Sequence, residues 1–152
     1  MERLVNLTPH VIKFHTADGD FELAPDERGP ARIVERPNDA LPVLCAVVSG
    51  QGYVEVKAYA AGIPVEVSGL PPPKPVVSYI VSRMVLDSPL VADRRDLVAP
   101  GTGPTDQPVR DERGQVVAVT RLIRIVRARD TRAGSDYGAE DPTGMRCGPL
   151  SE

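Results

Sequence analysis

Prolines and glycines interrupt this chain so often that no long regular element fits between them. Sixteen prolines and thirteen glycines are spread over 152 residues. Proline inside a helix removes a hydrogen bond and clashes with the preceding turn, and in a sheet it is confined to edges and strand starts. The expected result is short strands joined by many turns, not a helical bundle.

The stretches between the breaks agree. Residues 3–7 and 10–15 read as two strands broken at Pro9, and Ala17-Asp18-Gly19-Asp20 is a turn into Phe21–Leu23, which predicts a hairpin. Strands are expected at Ala31–Glu35, at the apolar run 41–48, at Tyr53–Tyr59, at Gly62–Val67 and at Val76–Val81. In Tyr53–Tyr59 the alternation puts Val54, Val56 and Ala58 on one face and the tyrosines, Glu55 and Lys57 on the other. The run Leu70 to Pro75, LPPPKP, reads as a stiff spacer. Ser82 is the best helix cap in the chain, and Pro89 limits its helix to a turn or two. An LVAP strand follows Arg94-Arg95-Asp96, and residues Val109 to Val126 read as a hairpin turning near Gly114. The fold class expected is α+β, mainly antiparallel β-sheet with one short helix and a C-terminal β-hairpin. Residues 1–129 form a single β-rich domain, and residues 130–152 a polar tail without periodicity, ordered only if neighbouring copies hold it.

Composition narrows the partners. Aromatic residues are 4% of the chain and tryptophan is absent, so the core must be built from Val, Leu, Ile and Ala. A net charge of −3 argues against a nucleic-acid polymer as partner, because phosphate neutralisation requires a basic excess or patch. Arginine outnumbers lysine 15 to 3; its planar fork suits carboxylates and phosphates, although genomic base composition explains the bias as well. The two cysteines, Cys45 in an apolar run and Cys147 in the tail, give neither a disulfide framework nor metal-ligand spacing. The beginning, MERLVNLTPH, has no apolar leader, and no stretch approaches the roughly 20 residues of a membrane-spanning helix. These features predict a soluble, cytoplasmic protein without membrane partners.

Catalytic and cofactor motifs are few. GTGP, Gly101 to Pro104, lacks the Gly-Lys-Ser/Thr of a phosphate loop and the following helix of a dinucleotide fingerprint. His10 and His15 are the only histidines, with no nucleophile elbow and no metal-binding spacing about them. No metal and no cofactor is expected, and no residue is assigned a catalytic role. What remains are polar groups at strand ends: Asn6, Thr8 and His10; Arg28 and Arg32; Arg94, Arg95 and Asp96; Arg110 and Asp111. Each alone has a bland explanation as a turn cap or a surface ion pair. Together at one sheet edge they would make a pocket for an anion.

The order of short signatures resembles that of a family of small, uncharacterised phage and actinobacterial proteins. The signatures are NLTPH (Asn6 to His10), GIPV (Gly62 to Val65), YIVS (Tyr79 to Ser82), RRDL (Arg94 to Leu97) and VRDxxG (Val109 to Gly114). The resemblance spans roughly residues 4–122 and carries no activity with it. It implies a phage-type accessory protein in the host cytoplasm, by analogy a sponge that sequesters nucleotide-derived anti-phage signals.

The leading expectation is a non-enzymatic, homo-oligomeric binder of a small anionic, nucleotide-like ligand. Arg32, Arg95 and Arg110 would supply donors, Asp96 and Asp111 would orient them, Asn6 and His10 would read polar groups, and Tyr79 would stack on a base. Two other classes stay open: a small hydrolase with His10 as base beside Asp96 or Asp111, and a structural or assembly protein without a ligand.

Overall fold

The computed structural model describes residues 1–50 and 52–126. In chain order, strands β1 (Arg3–Asn6), β2 (Ile12–Thr16), β3 (Gly19–Leu23), β4 (Arg32–Arg36), β5 (Val43–Ser49), β6 (Gly52–Ala58), β7 (Ile63–Ser68) and β8 (Val77–Ile80) precede the helix α1 (Arg83–Asp87). A 3-10 turn at Pro89–Val91 leads to β9 (Leu97–Pro100), and β10 (Val109–Arg110), β11 (Val116–Ala118) and β12 (Leu122–Ile123) complete the described strands. Over the described residues the chain is strand-rich, its pairings are mostly antiparallel, and it carries one short α-helix, as the proline and glycine spacing predicts.

The central sheet departs from that pattern. Its order is β1-β8-β9-β12, with β1 and β9 each parallel to β8 and only β12 antiparallel. Parallel neighbours require crossovers: β8, α1 and β9 make a short one, and everything from β2 to β7 makes the other. Such strands are buried on both faces. Val5, Tyr79, Leu97, Val81 and Ala99 join Val85, Leu86 and Val91 in one core. Ile80 and Val98, from the opposite face, join Ile12, Phe14 and Val119 in a second. Ser82 caps α1 by accepting a hydrogen bond from the Val85 amide, and Ser88, at the other end of the helix, caps the following turn.

The β2–β3 hairpin forms on the predicted turn, with Phe14 and Phe21 paired and their rings stacked 4.6 Å apart. Between β4 and β7 the chain makes a nested ribbon: β4 pairs with β7 at its base, and β5 with β6 farther out. β10 and β11 pair antiparallel about Gly114. The long second arm predicted through Val126 does not stay with β10. Leu122–Ile123 turns away to the free edge of β9, where Leu122, Ile123 and Ile125 pack on the two cores. Burial of those aliphatic side chains outweighs continued pairing with a two-residue edge strand. The polar tail and Cys147 lie outside the described residues. No helix among the described residues is long and apolar enough to cross a membrane.

Candidate functional site

Asn6 ends β1 with its side chain 2% exposed. Its amide nitrogen donates to the carbonyls of His10 and Leu23, each at 2.9 Å. Its oxygen accepts from the Thr8 amide at 2.9 Å and the Thr8 hydroxyl at 2.7 Å. Both amide hydrogens and the oxygen are therefore spent on the fold, within the loop and on the end of β3, and Asn6 has no group left to read a ligand. His10 contributes its carbonyl to this latch, while its ring is exposed and bonds to no described residue.

The other sequence candidates separate. Tyr79 is 1% exposed in the first core, its hydroxyl donating to the Pro72 carbonyl at 3.4 Å, so no base can reach its ring. Asp96 orients Arg94, not Arg95, through a two-point pair of 2.7 and 2.6 Å. Arg95 and Arg32 are exposed, Arg32 on β4 opposite Ser68. Arg110 donates to the carbonyls of Gly114 and Thr102, tying its hairpin to the GTGP loop. Asp111 caps the turn by accepting from the Arg113 and Gln115 amides and orients no arginine. Asp96 precedes β9 whereas Thr102 follows it, so the Arg95 and Arg110 clusters belong to opposite ends of that strand. Neither Asp96 nor Asp111 hydrogen-bonds His10, and the His10 dyad of a hydrolase is not assembled.

The structure does gather arginines elsewhere, about β1. The loop Pro25–Pro30 is pinned to this strand by Asp26 N–H donating to the Asn6 carbonyl at 2.8 Å. Arg28 then folds back on Asp26, Nε to Oδ1 at 2.7 Å and Nη2 to Oδ2 at 3.2 Å. Gly29 closes this turn at φ +86, a conformation that favours glycine. Beside it opens a groove of about 500 Å³, bordered by two arginines, Arg3 and Arg28, two carboxylates, Asp26 and Glu27, and by Asn6 and Pro25. The hydrogen bonds from the Arg28 side chain and amide hold the Asp26 carboxyl below its ordinary pKa, with the charge of Arg3 adding to the effect.

A second polar chain adjoins the first. It begins at the buried Tyr79 ring. The Arg94 guanidinium lies 6.0 Å from the ring centre. Farther along, the buried Ser78 hydroxyl donates to Glu2 and accepts from Arg124 at 3.3 Å. Arg3, Asp26, Glu2, Ser78 and Arg124 are absent from the sequence candidates because only tertiary pairing brings them together: the registry of β1 with β8, the docking of the Pro25–Pro30 loop on β1, and the return of β12 along β9.

A second groove of about 450 Å³ lies between the β2–β3 hairpin and β11. Its charged groups are paired, Lys13 with Glu22 at 3.0 Å and His15 with Asp20 at 2.6 Å, and its described lining includes no arginine. Among the described residues no group of three or more His, Cys, Asp or Glu is placed to hold a metal ion. No protein-family model, curated protein or solved structure matches the chain.

Proposed function

We propose that this protein binds a small anionic, nucleotide-like molecule in the groove beside β1 and sequesters it without converting it. The observation that carries the reading is the approach of Arg3 and Arg28 to one groove of about 500 Å³, a volume ordinary for a small-molecule site. Arg28 is half-exposed while Asp26 holds one edge of its fork, so the guanidinium is pre-oriented and retains donors for a phosphate or carboxylate. Sequestration is favoured over turnover because the described residues bordering the groove include no histidine and no nucleophile paired with a base. In the setting implied by the family resemblance, this is a phage-type accessory protein acting as a sponge for a nucleotide-derived defence signal in the host cytoplasm.

Calorimetry and thermal shift with inorganic phosphate, mononucleotides and cyclic dinucleotides test the reading, with chromatography of the recovered ligand. A stabilising nucleotide returned intact, its affinity reduced about tenfold or more in the Arg3→Ala/Arg28→Ala double variant, is the expected result. Release of a product would instead assign a hydrolase. Absence of a response to the whole panel, or affinity indifferent to both arginines, would refute the proposed site.

A further inference from the structure

Among the described residues the outer ribbon, β5 with β6, is a two-stranded sheet on its own. An isolated two-stranded hairpin is marginal in water, and a third strand or a packed face is the usual remedy. Val56, in the middle of β6, is 48% exposed, and Tyr59, just beyond the strand, is 71% exposed. The registry sets Val43, Cys45 and Val47 against Ala58, Val56 and Val54, so beyond the closing Ser49–Gly52 pair this side of the registry carries apolar residue types. An open edge bearing such a face is what proteins ordinarily cover or charge.

The sequence of β6 says what covers it. Tyr53-Val54-Glu55-Val56-Lys57-Ala58-Tyr59 is a pseudo-palindrome about Val56. Set antiparallel against a copy of itself through a two-fold axis at Val56, Glu55 falls opposite Lys57 of the other copy and Lys57 opposite its Glu55. Tyr53 meets Tyr59, Val54 meets Ala58, and Val56 meets Val56. Two opposite-charge pairs and two aromatic pairs are the combinations that stabilise neighbouring antiparallel strands. The two members of each kind are related by the two-fold, as an isologous interface requires.

Backbone phasing agrees with this arrangement. Ser49 pairs with Gly52 across two intervening residues, and a hairpin of that length closes on a pair that exchanges both hydrogen bonds. Counting from there, Tyr53, Glu55 and Lys57 direct their amides and carbonyls away from β5. These are the groups that a two-fold centred on Val56 requires. The β5 edge has no such signal, since VLCAVVS carries no charge to fix a registry.

We infer that β6 pairs with β6 of a second copy of this chain, about a two-fold axis at Val56, giving a continuous four-stranded sheet. The inference stands apart from the anion groove and survives its loss. The partner is selected by Glu55 and Lys57 and held by the aliphatic stripe on the other face.

Sedimentation across the micromolar range tests it on the full chain. The wild-type protein is expected to be a dimer. Glu55→Lys or Lys57→Glu turns both charge pairs into like pairs and should weaken the dimer about tenfold or more. The double reversal Glu55→Lys/Lys57→Glu should restore it. Opposed residues that exchange no hydrogen bonds sit about 4.5 Å apart at Cα, within the range of about 4.4–6.8 Å that a disulfide spans. In a Cys45→Ser/Cys147→Ser background, Val56→Cys should therefore cross-link to itself on oxidation. Ala58→Cys should not, because its own copy lies roughly 13 Å away along the strand. A wild-type monomer throughout would overturn the inference. So would a dimer that ignores the charge reversals, or cross-linking that fails at position 56 or is equal at 56 and 58.

Discussion

Asn6 shows how a residue that looks like a ligand group can be wholly consumed by the fold. Its amide joins three segments, the end of β1, the Thr8–His10 loop and the end of β3 at Leu23. Part of this is legible in the chain, since an Asn side chain commonly accepts from the amide two residues on, here Thr8 ahead of Pro9. The bond to Leu23, 17 residues away, is not, because nothing local says which carbonyl will arrive. Asn6→Ala strands the Thr8 amide and two carbonyls in a buried place, and the expected loss is about 2–4 kcal/mol. Urea unfolding measures it. If Asn6 contacted the ligand, affinity in the folded fraction would fall as well; a latch predicts lower stability with affinity unchanged. Asn6→Asp keeps the acceptor but loses both donated bonds and sets a charge against carbonyl oxygens, so it should fare no better than alanine.

At the scale of elements, local patterning located most strands and the capped helix, because Pro9, Gly19, Ser82 and Pro89 act over a few residues. The pairing partners were harder to read. That β1 lies beside β8 rests on burial of Val5 and Tyr79 in the same core, more than seventy residues apart, and sequence period reports a face without its neighbour. The groove beside β1 was illegible for the same reason, since Arg3 and Arg28 border one space only when the Pro25–Pro30 loop docks on β1. The return of the α1 crossover into β9 is pinned by Arg94 and Asp96, whose side chains are each 13% exposed. Burial pushes the Asp96 carboxyl upward, but the hydrogen bonds of Arg94, a backbone hydrogen bond and the charges of Arg94 and Arg124 together hold it below its ordinary 3.8. A carboxyl depressed in the folded state contributes stability that is fully present above the unfolded value and is lost as pH falls through the folded one. Asp96→Asn should therefore be destabilised relative to wild type at neutral pH. The gap should begin to close below about pH 4 and go on closing with further acidification. Parallel acid and urea titrations of the two proteins check this, and a gap that stays constant down the acid limb would remove Asp96 from the account.

The whole molecule divides into a packed sheet and a projecting ribbon, and this division bears on how stability is shared. On the ribbon, the apolar side chains of Leu41, Val56 and Tyr59 are exposed. The ribbon's base does belong to the body, because Ile33 and Val67 pack against the first core. Arg36 and Ile63 are paired in registry, so the chain can be closed there by a two-residue Asn-Gly turn, the connection best matched to strand twist. Replacing residues 37–62 in this way removes the β5–β6 ladder, keeps β4 with β7, and shortens the loop whose closure costs entropy. The expected protein unfolds in one cooperative step, with stability within about 1 kcal/mol of the full chain and a smaller denaturant slope in proportion to the surface removed. Dimerisation adds to apparent stability by mass action, so the fair reference is the full chain carrying Glu55→Lys, which should be equally monomeric. If the shortened protein instead loses cooperative unfolding, the ribbon is part of the fold's foundation. If it folds, stays monomeric and still takes up nucleotide beside β1, ligand capture belongs to the body and assembly to the arm.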